Sequence, residues 1–165
     1  MRIIKDFINK FFKNSSEDQP WLSYYNKDDN TIKITDKCIY EYMVECVGQD
    51  TDLIALNYFG YRMSFGEMFD KIDNAAKAFR SIGVKEGDVV TICLPNTPEA
   101  LICFYAINKI GAVADMIHPL SGGSEIKYYL QESKSRVLVL VDFAYEKIED
   151  HIDDTLVHKT IIAED

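Results

Sequence analysis

Four short apolar runs recur at a nearly constant interval in the second half of the chain. They begin at residues 89, 113, 137 and 160, so successive starts lie 24, 24 and 23 residues apart. Such runs are typical of strands buried on both faces of a parallel sheet. Each interval has room for one helix, so the pattern predicts successive βα units in a mostly parallel, Rossmann- or flavodoxin-like α/β fold. The expected strands span residues 89–94, 113–117, 137–141 and 160–163.

The first of these units carries signals for both ends of its helix. Thr97 is a candidate N-cap, Pro98 suits the first helical position, and Glu99 complements the helix dipole. Gly111 is placed to end the helix. Because residues 100–107 are apolar nearly all round, we expect this helix to lie inside the protein.

A helix and a β-hairpin are predicted ahead of the first unit. Thr35 or Asp36 can cap a helix that runs through about Val47. Residues 53–58 and 62–64 predict two strands joined by a tight turn. The sequence therefore places a small antiparallel element before the parallel sheet.

Three further helices complete the predicted α/β pattern. Ser64 and Glu67 form a capping box at the head of a helix that Gly83 ends. Residues 124–132 and 143–152 are expected to be helical between the later strands.

Residues 1–35 are interpreted as an N-terminal region, and residues 36–165 as an α/β subdomain that is incomplete at its C-terminus. Residues 2–13 place apolar side chains on one helical stripe, with basic residues off it. We expect this helix to dock on protein, and contact with a membrane surface is the alternative. Residues 20–25 are interpreted as an aromatic strap over the surface.

Charge and composition exclude several classes of function. The formal net charge of −9 repels phosphate backbones, so we expect no nucleic-acid partner. The sequence contains no apolar run that could span a bilayer and no secretory signal. The cysteines lack C-x-x-C spacing, which predicts reduced core thiols, no zinc site and a cytoplasmic location. These cysteines are Cys38, Cys46, Cys93 and Cys103.

The turn after the first parallel strand lacks the residues that a nucleotide site needs. Residues 95–99 contain no glycine, although a dinucleotide fold brings the pyrophosphate against small residues at this turn. A Walker-type phosphate loop is also absent from the sequence. His118 is interpreted as hydrogen-bonded to a neighbouring loop and Asp115 as part of a polar network. The polar spacing therefore predicts no catalytic group.

Three motifs, in order, resemble those of the AMP-forming acyl-CoA synthetases of the adenylate-forming superfamily. Residues 63–68 (MSFGEM) resemble a helix-opening T-Y-x-E-L motif. Residues 83–99 are similar to G-V-x-x-G-D-x-V followed by N-x-x-E. Residues 109–119 resemble K-x-G-A-V followed by N-P, with His118 where the family has Asn. The resemblance covers about residues 36–163 and identifies the chain as the N-terminal part of such an enzyme.

The resemblance implies a two-step reaction in the complete enzyme. A carboxylate attacks the α-phosphorus of Mg-ATP, which gives an acyl-adenylate and pyrophosphate, and the thiol of CoA then displaces AMP. The family's phosphate loop, ribose-binding Asp and adenylation lysine have no counterpart in this sequence, so no catalytic residue or metal ligand is carried over. We expect the 165-residue chain to be inactive alone and to bind no ATP tightly.

The expected partners of the 165-residue chain are the remainder of its own polypeptide and a carboxylic acid, interpreted as a fatty acid. Two alternatives stay open. One is an adenylation domain that loads an amino acid onto a carrier protein. The other is a stand-alone flavodoxin-like binding module without catalysis.

One turn is predicted to touch a ligand, namely Ser121, Gly122, Gly123 and Ser124. It follows a strand at the carboxyl edge, where open α/β sheets bind ligands. Two glycines let a ligand approach the backbone, and the next helix offers free N–H groups near Lys127 that could hold a phosphate. Glu125, in the first turn of that helix, acts against a phosphate there. The resemblance implies that this turn contacts the CoA nucleotide. The alternative is a flexible turn with an N-cap.

Overall fold

The computed structural model describes residues 35–163 and Tyr24. The helix expected over residues 2–13 lies outside the described residues, and so does the aromatic strap apart from Tyr24, which is exposed. The chain divides into two compact units, Met1–Asp36 and Lys37–Asp165. The elements that follow all belong to the second unit.

Helices and strands alternate along this unit, after an antiparallel start. In chain order they are α1 (Ile39–Val47), β1 (Ile54–Tyr58), β2 (Tyr61–Ser64), α2 (Phe65–Ser81), β3 (Val89–Cys93), α3 (Pro98–Lys109), β4 (Val113–Met116), α4 (Gly123–Ser133), β5 (Val137–Val141), α5 (Asp142–Ile148), a 3-10 helix (Glu149–Asp154) and β6 (Lys159–Ala163). Over residues 35–163, no helix is long and apolar enough to cross a membrane.

Strands β3 to β6 form one parallel sheet in the order β4-β3-β5-β6. This arrangement confirms the predicted α/β fold and the parallel pairing of the first two strands. The central strand β5 is buried along its whole length, whereas the edge strands β4 and β6 are partly exposed. The most continuous apolar runs thus occupy the centre of the sheet, because only there does a strand have neighbours on both sides.

Helix α3 begins and ends where the sequence predicts. The side chain of Thr97 accepts a hydrogen bond from the Ala100 N–H at 3.4 Å, and Gly111 follows the helix with φ +78°. The expectation that the whole helix lies inside the protein is wrong for one face. Ile107 is fully buried, but Leu101 is 41% exposed within the described part of the chain. A helix that covers a sheet buries only the side that contacts it.

Helix α1 starts later than the sequence predicts. Its N-cap is Cys38, not Thr35 or Asp36. The Glu41 carboxylate accepts a hydrogen bond from the Cys38 N–H at 3.0 Å, and this satisfies a donor that the helix itself leaves free. A glutamate three residues into the helix was therefore the stronger signal.

A polar network holds α1 against α2 and α3. The Tyr40 N–H donates to the Asn108 side chain at 2.8 Å. The Lys109 ammonium donates to the Tyr40 hydroxyl at 3.1 Å and also binds the Asp73 carboxylate. Because the groups come from all three helices, with Tyr40 on α1, Asp73 on α2 and the other two on α3, the network fixes the helices relative to one another.

The hairpin and the head of α2 confirm their predictions. Phe59 and Gly60, between β1 and β2, both have positive φ (47° and 91°), as a two-residue type I′ hairpin turn requires. In the capping box, the Ser64 N–H donates to Glu67 at 2.8 Å and the Glu67 N–H donates to the Ser64 hydroxyl at 3.2 Å.

The last predicted helix is divided into two parts. Residues Asp142–Ile148 are α-helical, and Glu149–Asp154 continue as a 3-10 helix. Helix ends often tighten in this way.

Candidate functional site

A cleft of about 580 Å3 opens at the carboxyl edge of the sheet. Its walls are the residues after β3, the residues that end and follow β4, and Phe143 after β5. The chain leaves β3 toward β4 and then returns across β3 to β5. Open α/β sheets bind ligands at such a reversal of strand order, so this cleft is the candidate site. Its lining residues are Leu94, Pro95, Asn96, Met116, Ile117, His118, Pro119, Leu120 and Phe143.

His118 is at the mouth of the cleft, and its polar groups serve the local turn. Its Nδ1 accepts a hydrogen bond from the Leu120 N–H at 3.1 Å. Its carbonyl oxygen accepts one from the Ser121 N–H at 3.1 Å. The predicted structural role is thereby confirmed, and it is played within the turn that His118 begins.

Asp115 belongs to a structural network, as the sequence analysis predicted. Its carboxylate accepts a hydrogen bond from the Thr91 hydroxyl at 2.8 Å across two strands. The Thr91 N–H in turn donates to the buried Ser135 hydroxyl at 3.1 Å. Sequence reasoning missed Ser135, because its contacts are made 44 residues away in the chain.

The two glycines of the 121–124 turn have different environments. Gly122 is the N-cap of α4, and a Cβ added there would meet no atom within 4 Å. A Cβ added at Gly123 would lie 3.0 Å from the carbonyl carbon of Lys147 and even closer to its oxygen. Gly122 therefore leaves room for a ligand, whereas the space at Gly123 is taken by α5.

The start of α4 already holds a carboxylate. The pKa of Glu125 is lowered by hydrogen bonds from Tyr129, from the Ser121 side chain and from the Gly122 N–H. The Lys127 ammonium, which the sequence places near a ligand phosphate, is paired with Asp154. The helix start therefore has fewer free donors than its sequence indicates.

Lys147 borders the cleft, and sequence reasoning missed it. Its ammonium donates to the Pro119 carbonyl at 3.3 Å and lies 5.4 Å from the centre of the Phe143 ring. Burial raises the pKa of the nearby Cys93 thiol to about 11, although the charge of Lys147 acts in the opposite direction. This residue could not be identified from motif spacing, because the contact with Pro119 joins residues 28 apart.

The cleft has the features of a binding site, with apolar walls and few polar groups. Over residues 35–163, no group of three or more His, Cys, Asp or Glu side chains is placed to hold a metal ion. The apolar walls of the cleft can accommodate a ring against Phe143.

The sequence matches the model of a protein family described as AMP-binding enzyme over residues 44–165, most of its length. The chain therefore belongs to this family. The match includes α2 and every element of the parallel sheet.

Two relatives are a synthetase and a ligase. The chain is 28% identical to an acetyl-coenzyme A synthetase of Shewanella sp. (strain MR-4) over 169 residues, 94% of this chain and 25% of that protein. It is 23% identical to a long-chain-fatty-acid–CoA ligase of Bacillus subtilis over 130 residues, 78% of this chain and 23% of that protein. The chain thus spans about a quarter of the length of these relatives.

A solved structure has the same fold. The crystal structure of a long-chain-fatty-acid-CoA ligase from Archaeoglobus fulgidus superposes with a TM-score of 0.74 at 19% identity. The similarity covers 81% of this chain and 28% of that one. The predicted α/β architecture is that of the corresponding part of this ligase.

Proposed function

We propose that the chain is the N-terminal part of an acid–CoA ligase, which uses ATP and Mg2+ to activate a carboxylic acid and transfers the acyl group to CoA. The family match over residues 44–165, together with relatives named as CoA ligases and synthetases, carries this proposal. Because two of these ligases are named for long-chain fatty acids, we propose a fatty acid as the substrate.

In the proposed reaction, a carboxylate oxygen forms a bond to the α-phosphorus of ATP, and the bond to pyrophosphate breaks. The CoA sulfur, after losing its proton, then attacks the acyl carbon and releases AMP. In this two-step reaction, the 165-residue chain supplies scaffold and one binding surface. We propose that residues 1–35 form an N-terminal region and residues 36–165 the first α/β subdomain of a longer, cytoplasmic polypeptide.

We propose that the turn of Ser121, Gly122, Gly123 and Ser124 contacts the nucleotide of CoA. A Cβ added at Gly122 would meet no atom within 4 Å, and this open space favours close approach of a ring or ribose. Contact with a phosphate at the start of α4 is less favoured, because Glu125 is bonded to the turn and Lys127 is paired with Asp154. Gly123 serves packing against α5.

The activity is tested by ATP–pyrophosphate exchange with the full-length polypeptide and a panel of carboxylic acids. We expect exchange with at least one acid. Residues 1–165 alone should give no exchange and no micromolar binding of Mg-ATP by calorimetry. Tight Mg-ATP binding to residues 1–165 would contradict the proposal that the rest of the polypeptide binds ATP. Absence of exchange with every acid would contradict the proposed ligase activity.

The CoA contact is tested in the same polypeptide by Gly122→Val, with Gly122→Ser as the matched control. The bulky valine should raise the KM for CoA in thioester formation and leave pyrophosphate exchange near normal. In Gly122→Ser, the small serine side chain suits an N-cap, so this variant should change the KM for CoA and the pyrophosphate exchange less than Gly122→Val does. Unchanged CoA kinetics in Gly122→Val would refute the contact.

A further inference from the structure

We propose that the amino edge of the sheet carries a binding notch for a phosphate group, formed by Lys85, Arg136 and His158. This notch of about 110 Å3 lies at the end of the strands opposite the cleft. The volume is about a fifth of that of the cleft at the other edge. It therefore suits one small oxyanion and is too small for a nucleotide. The remaining walls are Gly83, Val84, Asp88 and Val137.

Three separate segments bring the basic side chains together. Lys85 lies in the loop before β3, Arg136 directly precedes β5, and His158 directly precedes β6. The Arg136 N–H donates to the Val89 carbonyl at 3.1 Å, and the His158 N–H donates to the Arg136 carbonyl at 3.0 Å. The backbone of the notch is thus fixed before any ligand arrives, which lowers the cost of binding.

The charged ends of these side chains remain available to a ligand. The Arg136 guanidinium lies 3.9 Å from the nearest Asp88 oxygen, which is too far for a hydrogen bond, and 63% of its side chain is exposed. Among residues 35–163, neither the Lys85 ammonium nor the His158 imidazole takes part in a side-chain hydrogen bond. An exposed ion pair of this length contributes little to stability. The guanidinium can therefore leave Asp88 and donate two parallel N–H hydrogen bonds to a phosphate.

Asp88 limits the site and also shapes it. One of its carboxylate oxygens accepts a hydrogen bond from the Lys85 N–H at 2.8 Å and holds the loop that carries Lys85. Asp88 is the one carboxylate among the residues that line the notch, and it faces Lys85, Arg136 and the His158 imidazole. Close by in sequence, Lys134 and Lys159 add positive charge and Glu86 adds negative charge. This basic edge stands out in a chain of net charge −9 and would draw anions to this end of the sheet.

The test uses inorganic phosphate as the probe and the 165-residue chain. Phosphate is titrated at constant low ionic strength, and amide shifts are followed by two-dimensional NMR. We expect saturable shifts at the notch, and affinity about tenfold weaker in Arg136→Gln and in Lys85→Gln, the factor for one lost charge-assisted hydrogen bond. Lys71→Gln removes the same charge from an exposed position on α2 and should leave the affinity unchanged.

Three results would overturn the proposal. The first is the absence of saturable shifts, and the second is equal weakening in all three variants, which would indicate a general charge effect. The third is a set of shifts confined to the start of α4. The dispersion of the NMR spectrum shows whether each variant is folded. Because the Lys85 and Arg136 side chains are both exposed, either variant alone can test the notch if the other does not fold.

Discussion

Gly122 and Gly123 are neighbours at the start of α4, yet one substitution should have opposite effects at the two positions. In Gly122→Ser, the new side chain enters open space at an N-cap. Its hydroxyl can accept a hydrogen bond from the Glu125 N–H and complete a capping box, since Glu125 already bonds the Gly122 N–H. In Gly123→Ser, the new Cβ would lie 3.0 Å from the carbonyl carbon of Lys147.

The magnitudes follow from these environments. Serine at an N-cap is better than glycine by a few tenths of a kcal/mol, so Gly122→Ser should be equal to the wild type or slightly more stable. At Gly123 the backbone of α5 must move, because carbon atoms in ordinary contact lie about 3.5–4.0 Å apart. Such overpacking typically lowers the free energy of unfolding by about 1–3 kcal/mol.

Urea denaturation of the 165-residue chain, followed by circular dichroism, measures both values. The slope of the unfolding free energy against urea should stay the same, so that the shift in midpoint reports stability. Thermal unfolding should agree, with a midpoint lower by about 2–12 °C for Gly123→Ser at the shift of about 2–4 °C per kcal/mol expected for this size. Equal stability of the two variants would refute the close contact between α4 and Lys147.

Three other measurements test the core of the unit. Because burial raises the pKa of Cys93 to about 11, its alkylation at pH 8 should be at least about tenfold slower than that of exposed Cys46, by mass spectrometry; similar rates would contradict the burial. Tyr40→Phe removes a hydroxyl that Lys109 and Asp73 share, and should cost about 1 kcal/mol in urea unfolding; no loss would show the network to be dispensable. The hydrogen bond from Lys109 lowers the pKa of Asp73 in the folded chain below its pKa in the unfolded chain, which is near 4. The ion pair therefore stabilises the folded state above the unfolded-state pKa, and this stabilisation is lost as the pH falls through the folded-state pKa. The stability gap between wild type and Asp73→Asn should therefore narrow below about pH 4, and a constant gap would refute the ion pair.

The sequence predicted the strands and the caps of α3 well, because both signals are local. A run such as residues 137–141 is apolar without interruption, and Thr97 and Gly111 mark helix ends by their own chemistry. The predicted start of α1 is wrong because Thr35 and Asp36, the two candidate caps, have typical capping side chains, whereas the bond from the Cys38 N–H to the Glu41 carboxylate sets the actual start. The exposure of Leu101 depends on which elements cover α3, which hydropathy alone does not encode.

The candidate site was predictable only in position. Its place at the carboxyl edge follows from the βα order, and the turn at residues 121–124 is visible in the sequence. Sequence alone indicated two equivalent glycines and a helix start whose N–H groups could hold a phosphate, with Glu125 acting against it. The structure assigns Gly123 to packing, through a contact with Lys147 that no local pattern specifies. It also shows that Glu125 bonds the turn at the helix start.

These contacts change which part of a ligand the turn can recognise. A phosphate at the start of α4 would face the Glu125 carboxylate and would have to compete with Asp154 for Lys127. A ring in the cleft would meet apolar walls, and a ring beside Gly122 would enter open space. The cleft is therefore better suited to a ring or ribose, and the cations that could bind a phosphate, Lys85 and Arg136, lie at the opposite edge of the sheet. If both proposals hold, ring and phosphate recognition are separated in this unit by the length of the strands.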